Sequence, residues 1–198
     1  VLGILRGVGQ VDADTRRRLA VKAFCLTRDY DTAIHAYLVE QSARADSTHQ
    51  DLPEVLSLGL TRIQELRYGE NAHQKAGLYA TRGDAGPLGG KLLGGKELSY
   101  NNLLDADAAW RTVTMYDTPA VVIVKHLTPT GIATAATLAE AFPLALASDS
   151  VSAFGGIIAC NRVVDEALVD AIGSLFVEAI VAPDFSPPAQ QMLGTSRK

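Results

Sequence analysis

The stretch Ala120-Val121-Val122-Ile123-Val124, followed at once by Lys125-His126, decides the fold class. An unbroken apolar run dominated by β-branched residues is typical of a strand that is buried on both faces. Such strands lie inside sheets that helices cover on both sides. The stretch therefore predicts an α/β domain with this strand at its centre.

Helical and extended patterns alternate downstream of this strand. They predict a helix over Leu138 to Ala147, a strand over Gly156 to Ala159, a helix over Asp165 to Glu178 and a strand over Ala179 to Ala182 that Pro183 ends. This order is typical of βαβ units. We therefore expect an α/β fold with a mixed or mostly parallel sheet that is flanked by helices.

Upstream, the pattern from Asp12 to about Gln41 is helical, with Asp12 or Asp14 able to cap the first turn and Thr27 marking a place where the helix can break. Apolar residues recur there at three- and four-residue spacing: Leu19, Ala23, Leu26, Tyr30, Ala33, Ile34, Tyr37 and Leu38. The stretch from Ser42 to Glu54 is polar and aperiodic. It predicts a linker and a domain boundary.

The composition excludes several classes of protein. The chain has 198 residues, 47% of them hydrophobic and 20% charged, which is typical of a globular protein and not of a disordered one. Lys and Arg number 18 against 22 Asp and Glu, a net charge of -4 that provides no general basic surface for nucleic acid. No apolar run approaches the roughly 20 residues that cross a bilayer, so we expect no membrane association and a cytoplasmic location.

The thiols and imidazoles do not indicate a metal site. Cys25 and Cys160 are far apart and form no CxxC or Cys/His cluster, so we expect two buried, reduced thiols. The histidines show no i, i+4 pairing, and they are His35, His49, His73 and His126. We expect no transition metal.

A dense polar segment, Arg67-Tyr68-Gly69-Glu70-Asn71-Ala72-His73-Gln74, is a candidate ligand site. Arg67 offers a planar fork for a phosphate or carboxylate, and Tyr68 offers a flat face for a ring or a hydroxyl for a hydrogen bond. A solvated turn has the same composition. Composition alone favours the turn.

The segment Gly90-Lys91-Leu92-Leu93-Gly94-Gly95-Lys96-Glu97 has the glycine and lysine spacing of a phosphate-binding P-loop. Glu97 stands where a Ser or Thr hydroxyl should hold magnesium. No strongly apolar strand precedes the segment and no clear helix start follows it. We interpret it as a turn.

Lys125 and His126 follow the apolar strand and precede Thr128-Pro129-Thr130-Gly131. Both side chains reach one ligand only if the backbone bends, and Pro129 and Gly131 favour such a bend. Polar groups at the carboxyl end of a central strand occupy the usual ligand position of α/β sheets, and an unpaired ammonium beside an imidazole favours the neutral form that a general base requires. A solvated Lys beside a His that bonds to the backbone explains the same residues equally well.

The segment Ser152-Ala153-Phe154-Gly155-Gly156 leads into the next strand. Paired glycines let a ligand approach the backbone, and Phe154 can stack on a base, although a tight turn with a core Phe explains the same residues. Glu178 precedes the last predicted strand. It can accept hydrogen bonds from a ligand, or it simply ends a helix.

Four motifs, in order, resemble one family. They are Arg67-Tyr68-Gly69-Glu70-Asn71-x-His73-Gln74, Gly95-Lys96-x-Leu98-Ser99-Tyr100-Asn101-Asn102-x-x-Asp105-Ala106, Lys125-His126-x-x-Pro129-x-Gly131 and Ser152-Ala153-Phe154-Gly155-Gly156-Ile157-Ile158-Ala159-x-Asn161. This is the pattern of the bifunctional purine-biosynthesis proteins, which join a formyltransferase to an inosine monophosphate (IMP) cyclohydrolase. Chance agreement of four ordered motifs is remote.

The resemblance implies a domain organisation. Residues 1–42 resemble the C-terminal helical part of the cyclohydrolase domain, residues 43–58 a linker, and residues 59–198 the N-terminal part of the transformylase domain, with a cytidine-deaminase-like α/β fold but without that fold's zinc. Since the chain starts at Val1 and not at Met, we expect a piece of a longer protein. In that protein the resemblance implies a homodimer, with the cyclohydrolase site and most folate contacts outside these residues.

The resemblance also implies a reaction. The amine of aminoimidazole carboxamide ribonucleotide (AICAR) attacks the formyl carbon of the co-substrate 10-formyltetrahydrofolate. This amine is a poor nucleophile because its lone pair is conjugated, so a base must remove its proton as the bond forms. Carried over by position, His126 is that base and Lys125 stabilises charge on the formyl oxygen or the leaving nitrogen. The residues carried over as nucleotide contacts are Arg67 on the phosphate, Tyr68, Asn102, Glu178, Phe154 and the Gly155 backbone.

The sequence departs from the family pattern at a few positions. Thr128 and Thr130 stand where Asn and Cys are usual, and Ala72 and Ser150 where Pro is usual. We expect these changes to affect ligand affinity more than identity.

Two other hypotheses stay open. In one, the chain as it stands is a catalytically inert nucleotide-binding fragment or scaffold module. In the other, it is an unrelated α/β protein in which the four key side chains are scattered, namely Lys125, His126, Arg67 and Asn102.

Overall fold

The structure is a computed structural model that describes residues 2–45, 55–81 and 87–195. The chain divides into two compact units, Val1–Thr61 and Arg62–Lys198. The predicted linker at 43–58 lies largely outside the described residues. The assignment of the flanking segments to a cyclohydrolase and a transformylase domain stays a prediction.

The first unit contains two helices, α1 (Leu2–Val8) and α2 (Ala13–Ala45). Asp12 caps α2, because its carboxylate accepts hydrogen bonds from the Thr15 amide at 2.7 Å and the Thr15 hydroxyl at 2.8 Å. These hydrogen bonds, the amide one foremost, lower the pKa of Asp12. The helix continues without a break through Thr27, whose hydroxyl donates to the Phe24 carbonyl.

Helix α2 exposes much of its apolar surface. The side chains of Phe24, Leu26 and Tyr30 are 75%, 72% and 67% exposed. Cys25 is also exposed, whereas Cys160 is buried, and both thiols are free. The prediction of two buried thiols is therefore wrong for Cys25, because α2 buries little of its surface among the described residues.

The second unit begins with a two-stranded sheet of β1 (Thr61–Leu66) and β2 (Ala76–Ala80). A short 3-10 turn at Pro87–Gly89 precedes α3 (Tyr100–Val113). Helix α3 starts with a capping box, in which Ser99 and Asn102 each bond to the other's backbone. The expectation that no helix starts here is wrong.

The main sheet has four strands in the order β4-β3-β5-β6. They are β3 (Ala120–Lys125), β4 (Thr128–Thr134), β5 (Ile157–Cys160) and β6 (Ala179–Val181). Strand β3 pairs antiparallel with both β4 and β5, and β5 pairs parallel with β6. The structure confirms an α/β fold with a mixed sheet, in which two of these three pairings are antiparallel.

Strand β4 accounts for that difference from a mostly parallel sheet. Its sequence contains Pro129 and Gly131 and was expected to form the turn, but the chain already reverses at His126 and Leu127. Strands β4 and β5 run in the same direction, with the antiparallel β3 between them. The predicted βαβ units are therefore present as β4-α4-β5 and β5-α5-β6, with α4 at Leu138–Ser148 and α5 at Glu166–Ile172.

Both faces of the sheet are packed. Val121 and Ile123 of β3 lie in a buried cluster with residues of α4 and α5, such as Phe142 and Leu168. The alternate residues of β3 lie in a second cluster on the α3 side, and this cluster contains Val122, Val124, Ala109 and Val113. Full burial of one such Val or Ile contributes about 1.5–3 kcal/mol. The prediction of a strand buried on both faces is confirmed.

Helix α5 is shorter than the pattern predicted. It ends at Ile172 because Gly173 follows with a positive φ of 55°, and Gly173 donates its amide to the Val169 carbonyl. Glu178 therefore lies in the loop before β6 and does not end a helix. The last helix is α6 (Pro187–Thr195).

Within residues 2–45, 55–81 and 87–195, no helix combines the length and the apolarity that a membrane span requires. Among the same residues, no cluster of three or more His, Cys, Asp or Glu side chains has the proximity that a metal site requires.

Candidate functional site

One edge of the main sheet, formed by the ends of its strands, collects several of the predicted site residues. Because β3 is antiparallel to β5, the carboxyl end of β3 lies at the same edge as the amino ends of β5 and β6. Lys125 ends β3, Gly155 and Gly156 precede β5, and Glu178 precedes β6. In an all-parallel sheet Lys125 would lie at the opposite edge from the other three.

The ammonium of Lys125 is half-buried and directed at this edge. Its Nζ donates a hydrogen bond to the Phe154 carbonyl oxygen at 2.7 Å. The expectation of an unpaired ammonium is therefore wrong. Its charge also reaches Asp149. The pKa of Asp149 is lowered, chiefly by hydrogen bonds from Ser152 and further by Lys125.

His126 occupies the first position of the two-residue turn between β3 and β4. His126 and Leu127 have φ values of 54° and 63°, the left-handed region, which costs a residue with a side chain roughly 1–2 kcal/mol. The imidazole is exposed, and it makes no hydrogen bond to any other described residue. The alternative of a His that bonds to the backbone through its ring is therefore not what the structure contains.

The amides of this turn bond to α3. Asp105 accepts the Leu127 amide at 2.7 Å through Oδ1 and the His126 amide at 3.3 Å through Oδ2. In the sequence, Asp105 stands out only as one position of a family motif. The available signal was its spacing, since residues three apart on a helix lie on one face and Asn102 precedes it by three.

The structure brings three of the predicted nucleotide contacts to the guanidinium of a fourth, Arg67. One terminal nitrogen of Arg67 lies 3.2 Å from the Tyr68 hydroxyl, 3.5 Å from Asn102 Oδ1 and 3.8 Å from Glu178 Oε2. The Arg67 guanidinium carbon also lies 4.9 Å from the centroid of the Tyr68 ring, a cation–π distance. Arg67 therefore connects its own segment to α3 and to the loop before β6.

Asn102 is also a structural residue. Its Oδ1 accepts hydrogen bonds from the Ser99 amide at 3.0 Å and the Ser99 hydroxyl at 2.9 Å, which completes the cap of α3. Two backbone bonds of 3.0 Å, from Arg67 to Leu98 and from Tyr100 to Tyr68, fix the start of α3 beside the Arg67 segment. Asn102 is buried, and its Nδ2 amide is the donor that these bonds leave available.

The glycine pair before β5 is explained mainly by its own chain geometry. Gly155 has a φ of 73° and donates its amide to the Phe176 carbonyl at 2.8 Å. A Cβ at Gly156 would lie 2.9 Å from the Val124 carbonyl oxygen of β3, so this position excludes a side chain. The tight-turn interpretation is sufficient for Gly156.

Phe154 is not a core residue. Its side chain is 58% exposed, and its ring centroid lies 5.4 Å from that of Phe176 at an interplanar angle of 47°. The exposed ring is next to the carbonyl that accepts from Lys125. It is therefore placed where a planar ligand at this edge of the sheet can contact it.

The residues around Arg67, here called the Arg67 cluster, are connected to the residues around Lys125 by the backbone at Glu178. Its amide donates to the Gly156 carbonyl at 2.9 Å, while its carboxylate faces Arg67. On α3, Asn102 and Asp105 connect the Arg67 cluster to the turn that carries His126. The candidate residues thus form one continuous network, and their individual roles stay predictions.

Comparison with known proteins gives one family. The family model described as "AICARFT/IMPCHase bienzyme" matches residues 1–198. Three relatives carry the name bifunctional purine biosynthesis protein PurH. The chain is 44% identical over 204 residues to that of Sorangium cellulosum, 46% over 203 residues to that of Myxococcus xanthus and 45% over 196 residues to that of Desulfitobacterium hafniense.

These matches cover 100%, 100% and 98% of this chain, respectively. They cover only 39%, 38% and 38% of the three relatives. The chain thus spans about two fifths of the length of the curated relatives that it matches.

Proposed function

The chain belongs to the AICARFT/IMPCHase bienzyme family, and from this membership we propose that it carries the AICAR-binding half-site and the catalytic base of a formyltransferase in purine biosynthesis. The co-substrate is 10-formyltetrahydrofolate, and the reaction uses no transition metal. The names of the relatives support the purine pathway. The formyl-transfer step is our proposal for these residues.

One observation carries the proposal: Lys125, Phe154 and Glu178 share a sheet edge, and Arg67 reaches that edge through its pair with Glu178. A nucleotide needs a cation for its phosphate and a flat apolar face for its base. Both are present at this edge. Lys125, the second cation, is the last residue of β3, and His126, the candidate general base, follows it on the turn.

In the proposed reaction the AICAR amine forms a bond to the formyl carbon while the imidazole of His126 takes the proton that the amine loses. The bond between the formyl carbon and N10 of the folate then breaks, and N10 takes up a proton. The products are formyl-AICAR and tetrahydrofolate. A positioned general base contributes typically about 10²–10⁴-fold to such a rate.

Lys125 supplies positive charge where negative charge develops, on the formyl oxygen or on N10. Its hydrogen bond to the Phe154 carbonyl orients the ammonium before the substrates arrive. An ammonium whose position is already fixed requires no reorganisation during the reaction.

Arg67 holds the phosphate in this proposal. Its pair with Glu178 is long, at 3.8 Å, and both side chains are about one-third exposed, so a phosphate can replace the carboxylate at little cost. Planar, bidentate bonds to phosphate are the strength of Arg. Glu178 is then available for the nucleotide hydroxyls, with Tyr68, Asn102, Phe154 and the Gly155 backbone as the remaining contacts.

We extend the proposal to the full-length protein. There the chain is part of a cytoplasmic homodimer that also cyclises formyl-AICAR to IMP, and residues outside this chain provide that second activity and most of the folate contacts. The second activity rests on the names and greater lengths of the relatives, whereas the cytoplasmic homodimer rests on the resemblance of the sequence motifs alone.

A second candidate function is that of a catalytically incomplete nucleotide-binding fragment. The share of the relatives that the chain covers, 38–39%, favours it. Calorimetry with AICAR and a formyl-transfer assay on this same chain separate the two. Binding with turnover supports the enzyme, and binding without turnover supports the fragment.

A pair of variants controls the calorimetry. Arg67→Ala is expected to weaken AICAR binding roughly tenfold or more, since bonds to charged groups contribute about 1.5–3 kcal/mol. Arg111→Ala removes an exposed arginine of α3 that pairs only with surface Asp107 among the described residues, and it should leave the affinity unchanged. Equal affinities of the two variants would contradict the placement of the phosphate at Arg67.

A further inference from the structure

The turn between β3 and β4 adopts a conformation that its own residues do not favour. Only His126 and Leu127 separate the two strands, and both have a positive φ. Two-residue hairpins of this kind usually contain Asn-Gly or Asp-Gly, because those residues tolerate the left-handed region. Histidine adopts this region more readily than most residues, but a branched aliphatic side chain does not, so another part of the protein must hold Leu127 and with it the turn.

Asp105 of α3 is the group that holds it. The two oxygens of its carboxylate accept the two successive amides of the turn, Leu127 at 2.7 Å and His126 at 3.3 Å. A carboxylate that accepts backbone amides forms charge-assisted hydrogen bonds, which are roughly twice as strong as neutral ones. Successive amides of an extended strand point to opposite sides and could not both reach one side chain, whereas the amides of the observed turn do.

The packing of α3 does not depend on Asp105. The interface of α3 with the sheet is apolar and buried, and it contains Ala106, Ala109 and Val113 against Val122 and Val124. Asp105 lies at the edge of this interface and is half-buried. Removing its carboxylate should therefore change the turn and not the docking of the helix.

We propose that Asp105 is a positioning residue for formyl transfer: it holds the His126-Leu127 turn in the left-handed conformation that places the imidazole at the substrate edge of the sheet. The catalytic consequence rests on the proposed function, whereas the hold on the turn does not. Asp105 touches no reacting atom. It acts through the backbone of the residue that does.

Enzyme kinetics on the full-length protein test the catalytic part. Asp105→Ala is expected to lower kcat roughly 100-fold, because a misplacement of about 1 Å can cost that much, while KM for AICAR changes less than about threefold. Asp105→Asn keeps one acceptor oxygen and should fall between Ala and wild type. The matched control is Asp107→Ala, two positions along the same helix, whose carboxylate pairs with Arg111 at 2.9 Å. It should have the kcat of wild type.

A rescue distinguishes positioning from a general loss of stability. Glycine adopts a positive φ without steric cost. Leu127→Gly added to Asp105→Ala should therefore recover at least roughly fivefold of the lost kcat. The same glycine added to Asp107→Ala should give no increase. Absence of rescue, together with a melting temperature far below that of Asp107→Ala, would overturn the proposal in favour of a structural role.

Hydrogen exchange tests the hold on the turn without any activity. The amides of His126 and Leu127 should exchange roughly tenfold or more faster in Asp105→Ala than in Asp107→Ala, because each loses a charge-assisted acceptor. Equal exchange would overturn the inference even if the enzyme is a formyltransferase. Faster exchange with an unchanged kcat would overturn the positioning role, because loosening the turn would then have no effect on formyl transfer. A wild-type protein without formyl transfer, but with the faster exchange in Asp105→Ala, would instead contradict the proposed function and leave the hold on the turn standing.

Discussion

At the scale of single residues, Arg67 has the most demanding environment in the candidate site. Its guanidinium serves a hydroxyl, an amide oxygen and a carboxylate, and it also covers the ring of Tyr68. A planar group with several fixed donors can satisfy these partners together, whereas an ammonium is a single point charge. The choice of Arg at this position is therefore specific.

We expect Arg67→Lys to raise KM for AICAR roughly tenfold and to change kcat little, since the contact is made equally in the ground state and the transition state. Steady-state kinetics of the full-length protein with AICAR as the varied substrate measure both constants. Arg111→Lys on α3 is the control. A fall in kcat at unchanged KM would place Arg67 at the reacting atoms instead.

The two cysteines give a second prediction at this scale. Burial raises the pKa of the Cys160 thiol to about 12, from an ordinary value of 9.0, whereas Cys25 is exposed. A thiol reagent at pH 8 should therefore modify one thiol per native chain quickly and the second only after unfolding. Two thiols that react at one rate in the native chain would contradict the burial of Cys160.

The same pKa shift has a consequence for stability. The folded pKa of Cys160 lies above the unfolded one, so its contribution is fully present below about pH 9 and is lost as the pH rises toward 12. The free energy of unfolding should decrease through this window by up to about 1.4 kcal/mol per pH unit from this group. Cys160→Ala should show a shallower decrease in the same urea titrations.

At the scale of secondary-structure elements, β3, α4 and β5 were predictable because each has a strong apolar pattern. Strand β4 was not predictable in this way, since Pro129 and Gly131 are typical of turns. It is an outer strand with a neighbour on one side only. Such a strand tolerates a proline, which has no amide hydrogen to donate to a neighbouring strand. Without β4, the sequence predicts that β3 and β5 run parallel, whereas they run antiparallel in the structure.

That reversal explains why the candidate residues meet at strand ends that the sequence did not place together, while their roles stay predictions. The rule that ligands lie at the carboxyl ends of parallel strands does not apply here, because β3 is antiparallel to both of its neighbours. Strand β3 contributes its carboxyl end, whereas the other contributions come from the amino ends of β5 and β6. The three-residue spacing from Asn102 was the available sequence signal for Asp105, and it did not reveal the role because the partners of Asp105 are backbone amides. Backbone amides leave no pattern in the side chains.

Gly131 tests the packing of β4 on α4. A Cβ at this position would overlap the backbone carbonyl oxygen of Ala145, which cannot move without displacing the helix. Gly131→Ala should therefore lower the free energy of unfolding by about 3 kcal/mol. Gly94→Ala is the matched control, because nothing lies within 4 Å of the added carbon. Equal midpoints of the two variants in urea unfolding would contradict the position of β4.

At the scale of the whole molecule, the two units differ in how much they bury. The sheet of the second unit has core residues on both faces, whereas α2 of the first unit leaves Phe24 and Tyr30 mostly exposed. Regions with few buried apolar contacts open at low free energy. The amides of α2 should therefore exchange with solvent at least roughly a hundredfold faster than those of β3 in this chain. Equal protection in hydrogen-exchange mass spectrometry would contradict this difference in burial.

In the proposed function, the turn after β3 carries the general base for formyl transfer at an edge of the sheet that also holds the nucleotide. The most direct measurement is formyl transfer by the full-length protein with His126→Ala, with AICAR affinity determined on the same sample. The account predicts a fall in kcat of roughly 10²–10⁴-fold with AICAR affinity within about twofold of wild type. Turnover within about threefold of wild type, far less than a general base contributes, would contradict it.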